Sequence, residues 1–263
     1  MSRRNADGIE LARGERLQSL ERGLAVLRAF TPDSPALTIS EVADRTGLTR
    51  ATVRRILLTL ADLGYVDSER RAFTLNSSVL DLAKPFAGNH DRWSFARPYL
   101  ESLTERTGES ASIAVLDDTE ILYVARSQTR RLMTLAVAVG SRLPAHPTSK
   151  GRVLLAFLPE PELEAYFARR AIARYTERTV VDEAELRKIL DDVRREGFAV
   201  VDQQLEEGLS SVAAPIIDRS GRVTAALSVC AHAGRVDPAT LRTDFLPLVI
   251  ETARRVSALV SRH

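Results

Sequence analysis

The chain has 263 residues, 44% of them hydrophobic, and its 37 basic and 35 acidic side chains leave a net charge of +2, so any strongly basic surface must be local. That length exceeds one small DNA-binding module and predicts two domains, while no apolar run is long enough to span a bilayer. A single cysteine excludes an internal disulfide, and His90, His146, His232 and His263 show no metal-ligand spacing, so no metal, redox centre or other cofactor is expected.

Residues 1–16 form a polar tail in which Arg3, Arg4, Arg13 and Arg16 are partly offset by Asp7, Glu10 and Glu15. It is expected to be disordered until DNA is near, and its lack of a signal peptide predicts a cytoplasmic protein. Leu17, Leu20, Leu24 and Leu27 then mark a helix that would complete a three-helix core, ended by the breaker region Pro32 to Pro35. A second helix starts at Thr38, which with Glu41 spells a T-x-x-E capping box, and carries Ile39, Val42 and Ala43 on one face. Gly47 supplies the turn, and Thr49 caps a third helix whose Val53, Ile56, Leu57, Leu60 and Leu63 repeat at inward-facing spacing. From Arg45 to Arg55 there are four arginines and no acid. Gly64 to Asp67 and Ala72 to Leu75 read as strands joined by a tip containing Arg70 and Arg71. Three helices and a small basic hairpin over 17–76 describe a winged helix-turn-helix, with double-stranded operator DNA as the partner. Thr38, Thr49, Arg50, Thr52, Arg54 and Arg55 are the candidate major-groove residues, and Arg70 and Arg71 the candidate phosphate or minor-groove contacts.

Ser77 to Ala87 predicts a linking helix within a 77–93 connection, and a second domain follows over 94–263. A helix is expected from Ser94 to Arg106. Strands follow over Ser110 to Leu116, Glu120 to Arg126 and Leu132 to Val139, then helices over Gly151 to Phe157, Pro161 to Arg170 and Asp182 to Glu196. Strands return at Gly197 to Asp202, Ser211 to Ile217 and Arg222 to Cys230, before a closing helix from Pro238 to Leu259. Hairpins at both ends imply a largely antiparallel sheet and an α+β domain, with Pro215 at an edge or bulge. On the last strand Val223, Ala225, Leu227 and Val229 share one face. Arg222, Thr224, Ala226, Ser228 and Cys230 share the other, which ends in small, weakly polar groups. The helix start near Ser149 to Gly151 offers amides and a dipole to a carboxylate, and Lys150 adds a full charge.

Leu17 to about Val260 resembles the IclR family of bacterial transcription regulators, a likeness carried by SLERGLAVLRAF at Ser19 to Phe30, GLTRATVRRILLTLADLGYV at Gly47 to Val66, ILYVAR at Ile121 to Arg126 and GRVLLA at Gly151 to Ala156. These segments are most similar to the branch that controls protocatechuate and β-ketoadipate catabolism, the PcaR, PcaU and PobR type. The resemblance implies a winged helix-turn-helix followed by a GAF-like or PAS-like effector domain, assembly as a dimer or a dimer of dimers, contact with RNA polymerase, and a small organic acid as effector. By the same resemblance the effector pocket matches Leu132, Leu143, Ser149, Lys150, Leu209, Ser211, Ser228 and Cys230, with Asp202 beside them; Arg126 is a further carboxylate partner on its own chemistry.

Each position has a plainer alternative. Cys230 also suits a small buried hydrophobe, Ser228 a bond to a neighbouring strand, and Leu132, Leu143 and Leu209 ordinary core, while His146 suits a loop-stabilising role. Lys150 departs from the branch, where an uncharged residue is expected: it pairs with a dicarboxylate or points to solvent. Arg126 equally suits a surface or interface. Gly208-Leu209-Ser210-Ser211-Val212 lacks the second glycine of a nucleophile elbow, and no phosphate-binding glycine motif is present, so an acyl-ester hydrolase is disfavoured and the chain is expected not to be an enzyme. A ligand-independent architectural DNA-binding protein is the other alternative.

Overall fold

The computed structural model describes residues 17–31, 33–69, 71–82, 91–129, 137–169 and 172–260. Contacts divide the chain into two units, Met1–His90 and Asp91–His263. The tail and Arg70 expected at the wing lie outside the described residues, as do Leu132 and most of the strand expected around it.

In the first unit α1 (Gln18–Arg28), α2 (Ile39–Thr46) and α3 (Arg50–Asp62) are joined by strands β1 (Ala36–Leu37), β2 (Val66–Glu69) and β3 (Ala72–Leu75), in the antiparallel order β1-β3-β2. The capping box forms in both directions: the Glu41 amide donates to the Thr38 hydroxyl, and the Thr38 amide and hydroxyl donate to the Glu41 carboxylate. Gly47 ends α2 at φ 69°, a left-handed conformation that glycine alone adopts without a Cβ penalty. The core gathers Val26, Phe30, Leu37, Val42, Val53, Leu57, Val66 and Phe73.

Two expectations about this core are corrected. Leu17, Leu20 and Leu24 do not point into it, being 69%, 59% and 43% exposed, and Leu63 at the end of α3 is 60% exposed. The buried side of α1 is built instead on Val26 and the residues after the helix, Ala29 and Phe30. Leu20, Leu24 and Leu27 line an open groove with Ile56, Leu60 and Leu63. The residues that follow, Ser77–Leu82, form a 3-10 turn rather than the start of an α-helix.

The second unit is a six-stranded, wholly antiparallel sheet in the order β6-β5-β4-β9-β8-β7, with helices on both faces. Its strands are β4 (Ser110–Asp117), β5 (Glu120–Ser127), β6 (Arg142–Pro144), β7 (Ala199–Asp202), β8 (Leu209–Ile217) and β9 (Val223–His232). One face packs Ala111, Ile113, Val212, Leu227 and Val229 against Trp93, α4 (Arg97–Thr107) and α8 (Leu246–Val260). The other packs Ala114, Tyr123, Ala213 and Ala226 against α5 (Ser149–Ala156), α6 (Glu160–Arg169) and α7 (Glu183–Glu196). Strand β6 was not expected, and Val137 to Val139, read as strand, lie before it in irregular backbone. The closing helix is interrupted by a π turn at Leu241–Phe245 before α8. Pro215 opposes Ala226 of β9 but lies past Ala213, where pairing with β7 stops, so its missing amide hydrogen leaves no β7 partner unsatisfied. Among the described residues no helix is long and apolar enough to cross a membrane.

Candidate functional site

The first candidate is the exposed end of α3. Thr49 caps the helix by accepting from the Thr52 amide, and the two threonine hydroxyls lie 2.9 Å apart. Arg50, Arg54 and Arg55 are exposed and make no ion pair with any described residue. Arg50 and Arg54 are one turn apart and share a face; Thr52 and Arg55 line the groove beside α1. Arg45, one of the four arginines in the basic run, is used inside the unit, donating to the Ala29 carbonyl and the Ser34 hydroxyl. Thr38 is likewise occupied by its cap. Arg71 is exposed at the wing tip.

The second candidate is a cavity of about 40 Å³ in the second unit, between the sheet and the N-terminus of α5. Helix α5 is buried along its whole length. The Thr148 hydroxyl caps it, accepting from the Gly151 amide and donating to the Ala145 carbonyl, each at 3.0 Å. A Cβ on Gly151 would sit 2.0 Å from the Ala145 carbonyl oxygen, so only glycine lets the helix begin this close to the preceding loop. His146 bonds the Ala173 carbonyl, and its own carbonyl accepts from Arg152. Burial pushes the Arg152 guanidinium down to about 10, an effect Glu185 partly offsets.

Lys150 projects from this helix start and is only 2% exposed. Its ammonium donates to the Ser112 hydroxyl at 2.7 Å and the Ser228 hydroxyl at 2.9 Å, and lies 4.0 Å from the centre of the Tyr123 ring. No carboxylate among the described residues pairs with it.

The sheet floor follows from register. Ser112 stands opposite Arg126 on β5 and Ser228 on β9; Ser110 stands opposite Cys230, which stands opposite Ser211. Directly opposed residues share a face, so these small groups form two adjacent rows under α5. A bulge on β5, where the partner of Ile113 is Ala125 and that of Ala114 is Tyr123, inserts Val124. Without it Tyr123 and Arg126, an odd number of residues apart, would face opposite sides; with it both line the cavity.

Of the residues singled out from sequence, Arg126, Leu143, Ser149, Lys150, Leu209, Ser211 and Cys230 line this cavity. Ser228 lies below it and reaches it through Lys150. Asp202 is not in the lining: it alternates with Val201, which is, and its carboxylate instead bonds Arg178, Ser210 and Gln203. Sequence reasoning missed Ser110, Ser112, Tyr123, Val137, Pro147, Thr148, Val201 and Leu205. The parity of Ser110 and Ser112 was legible, but only strand pairing shows that β4 lies beside β9.

Known proteins resemble the chain over most of its length. The family model described as IclR helix-turn-helix domain matches residues 19–70, and that described as Bacterial transcriptional regulator IclR C-terminal matches residues 87–258. The Pca regulon regulatory protein of Pseudomonas putida is 42% identical over 239 residues, covering 90% of this chain and 82% of that protein. A transcriptional regulator from Rhodococcus sp. RHA1 has a solved structure that superposes with a TM-score of 0.81 at 44% identity, covering 92% of this chain and 98% of that one. An IclR homologue from Microbacterium hydrocarbonoxydans, solved in complex with 4-hydroxybenzoate, superposes with a TM-score of 0.78 at 26% identity, covering 93% and 98%.

Proposed function

The chain belongs to the IclR family of bacterial transcriptional regulators, which are not enzymes, and on that premise we propose that it reads operator DNA with the α3 face and responds to a small aromatic acid bound under α5. Arg50 and Arg54 carry the DNA contacts, with Thr49, Thr52, Arg55 and the wing residues Arg70 and Arg71 beside them. The protein works in the cytoplasm as a dimer or a dimer of dimers on a palindromic site, and meets RNA polymerase there. The observation that carries the effector half is the buried ammonium of Lys150 in a cavity floored by serines, because a buried charge with only hydroxyl partners favours an anion. The complex of the Microbacterium homologue with 4-hydroxybenzoate and the Pca regulon name of the Pseudomonas relative supply the class of acid. An acid that fits this cavity better in one state of the protein than in another shifts the balance between the two.

Operator binding measured by fluorescence anisotropy, with and without 4-hydroxybenzoate, protocatechuate or β-ketoadipate, tests the reading. A typical coupling of 1 to 3 kcal/mol corresponds to an affinity change of about 5- to 150-fold. Operator affinity that ignores all three acids, together with a melting temperature that none of them moves, would leave a DNA-binding protein without an effector.

A further inference from the structure

We propose that residues 172–181 form a strap that latches the β7–β8 turn over the cavity, and that release of the latch at Thr176 and Thr179 is the step by which the cavity opens. The turn supplies part of the cavity wall through Leu205 and Leu209. It is bracketed by two residues in the left-handed conformation, Gln203 at φ 54° and Gly208 at φ 79°. Glycine adopts that conformation freely, whereas at Gln203 it is strained and persists because neighbouring groups hold it. The neck between these two hinges is closed, since the Gln203 amide donates to the Leu209 carbonyl at 2.9 Å and the Gly208 amide to the Gln203 side-chain oxygen at 3.0 Å. Residues 204–207, with Leu205 among them, therefore move as one piece.

The strap has no helix or strand of its own, and within it only Thr176 and Thr179 are buried. Their hydroxyls act as pegs. Thr176 donates to the Gln203 carbonyl at 2.7 Å and Thr179 to the Gln204 carbonyl at 2.6 Å, and the Thr179 oxygen accepts in turn from the Tyr175 and Thr176 amides. Gln204 is gripped from a second side, its side-chain oxygen accepting from the Val180 amide and from the buried Arg152 of α5. Near its start the strap is tied to the loop before α5, where His146 bonds the Ala173 carbonyl. Arg178 adds a surface ion pair to Asp202. The strap thus fastens two walls of the cavity, helix α5 and the β7–β8 turn, to each other, although neither Thr176 nor Thr179 lines the cavity. Removing a threonine hydroxyl deprives the latched state of a hydrogen bond that water replaces once the turn swings out, so the open population rises.

The chain's only cysteine, Cys230, lines the cavity and serves as the probe, so the test needs no effector and holds whether or not the cavity is an effector pocket. Full-length protein is mixed with excess 4,4′-dithiodipyridine, and release of thiopyridone is followed with time. Thr176→Val and Thr179→Val remove the hydroxyl, and each should speed labelling about tenfold or more. Thr179→Ser keeps the hydroxyl and should label close to the parent rate. Urea unfolding of each variant is measured alongside, and labelling should accelerate by more than the loss of global stability accounts for. If both valine variants fail to fold, Arg178→Ala decides, with an expected gain of about two- to fivefold from the loss of an exposed ion pair. A parent cysteine that reacts as fast as a free thiol, labelling rates that the substitutions leave unchanged, or an acceleration explained in full by global unfolding overturns the latch.

Discussion

The DNA contacts proposed for Arg50 and Arg54 are of two kinds that a salt titration separates. If one of them reads a guanine, its replacement by alanine should cost about 1 to 3 kcal/mol and relax preference at one operator position. If it touches phosphate, all sequences should weaken alike and the slope of log affinity against log salt should fall by about 1. Unchanged operator binding by both single variants would remove the α3 face from the interface. Glu41 gives a second test at this scale. Its hydrogen bonds from the Thr38 amide and hydroxyl hold its carboxyl below the ordinary value of 4.5. A carboxyl with a lowered folded-state pKa stabilises above its unfolded value, and that contribution is lost as pH falls through the folded value. The difference in urea stability between the parent chain and Glu41→Gln should therefore be greatest above about pH 4.5 and shrink on acidification. A difference that grows in acid would mean that the cap is not the source.

At the scale of elements, helix α5 is set by one glycine. Gly151→Ala places a methyl group inside the Ala145 carbonyl, so the helix start must shift. Overpacking of this kind costs about 1 to 3 kcal/mol, measurable by urea unfolding, and here it should also weaken acid binding because Ser149 and Lys150 move with the turn. Normal acid affinity in that variant would show that the loop yields instead. The same elements show what the sequence makes legible. Thr38, Glu41, Gly47 and Thr49 announce the helix-turn-helix because caps and a left-handed glycine are local chemistry. Five of the six strands of the second unit are legible for a similar reason, as runs of alternating residues, whereas the three-residue β6 is too short to show one. The leucines of α1 mislead because spacing identifies an apolar stripe without saying what covers it. The cavity floor is hidden more deeply: it depends on β4 lying beside β9 and on one bulged residue, Val124, and no window of sequence contains either.

For the whole molecule, near-neutral charge matters. With 37 basic residues against 35 acidic ones, DNA affinity has to come from a small arginine-bearing face rather than from a general field, which predicts a modest salt dependence set by the number of arginines engaged. Linkage adds a constraint that needs no knowledge of how the units are arranged: if an acid changes operator affinity by some factor, operator DNA must change affinity for the acid by the same factor. Calorimetric titration of the acid into the free protein and into its operator complex should return one coupling constant; two unequal factors would exclude a simple two-site equilibrium. The two faces of the sheet also carry different kinds of residue. The face under α4 and α8 is filled by Ile113, Val212, Leu227 and Val229, whereas the cavity face carries Ser110, Ser112, Ser211 and Cys230. With the cavity proposed as the effector pocket, single methyl groups on Ser110, Ser112 or Ser211 would change the ligand's surroundings without touching the packing of the opposite face. Ser211→Thr is expected to reorder which acids raise the melting temperature while leaving the melting temperature without acid nearly in place, and a general loss of stability would show that the two faces are not independent.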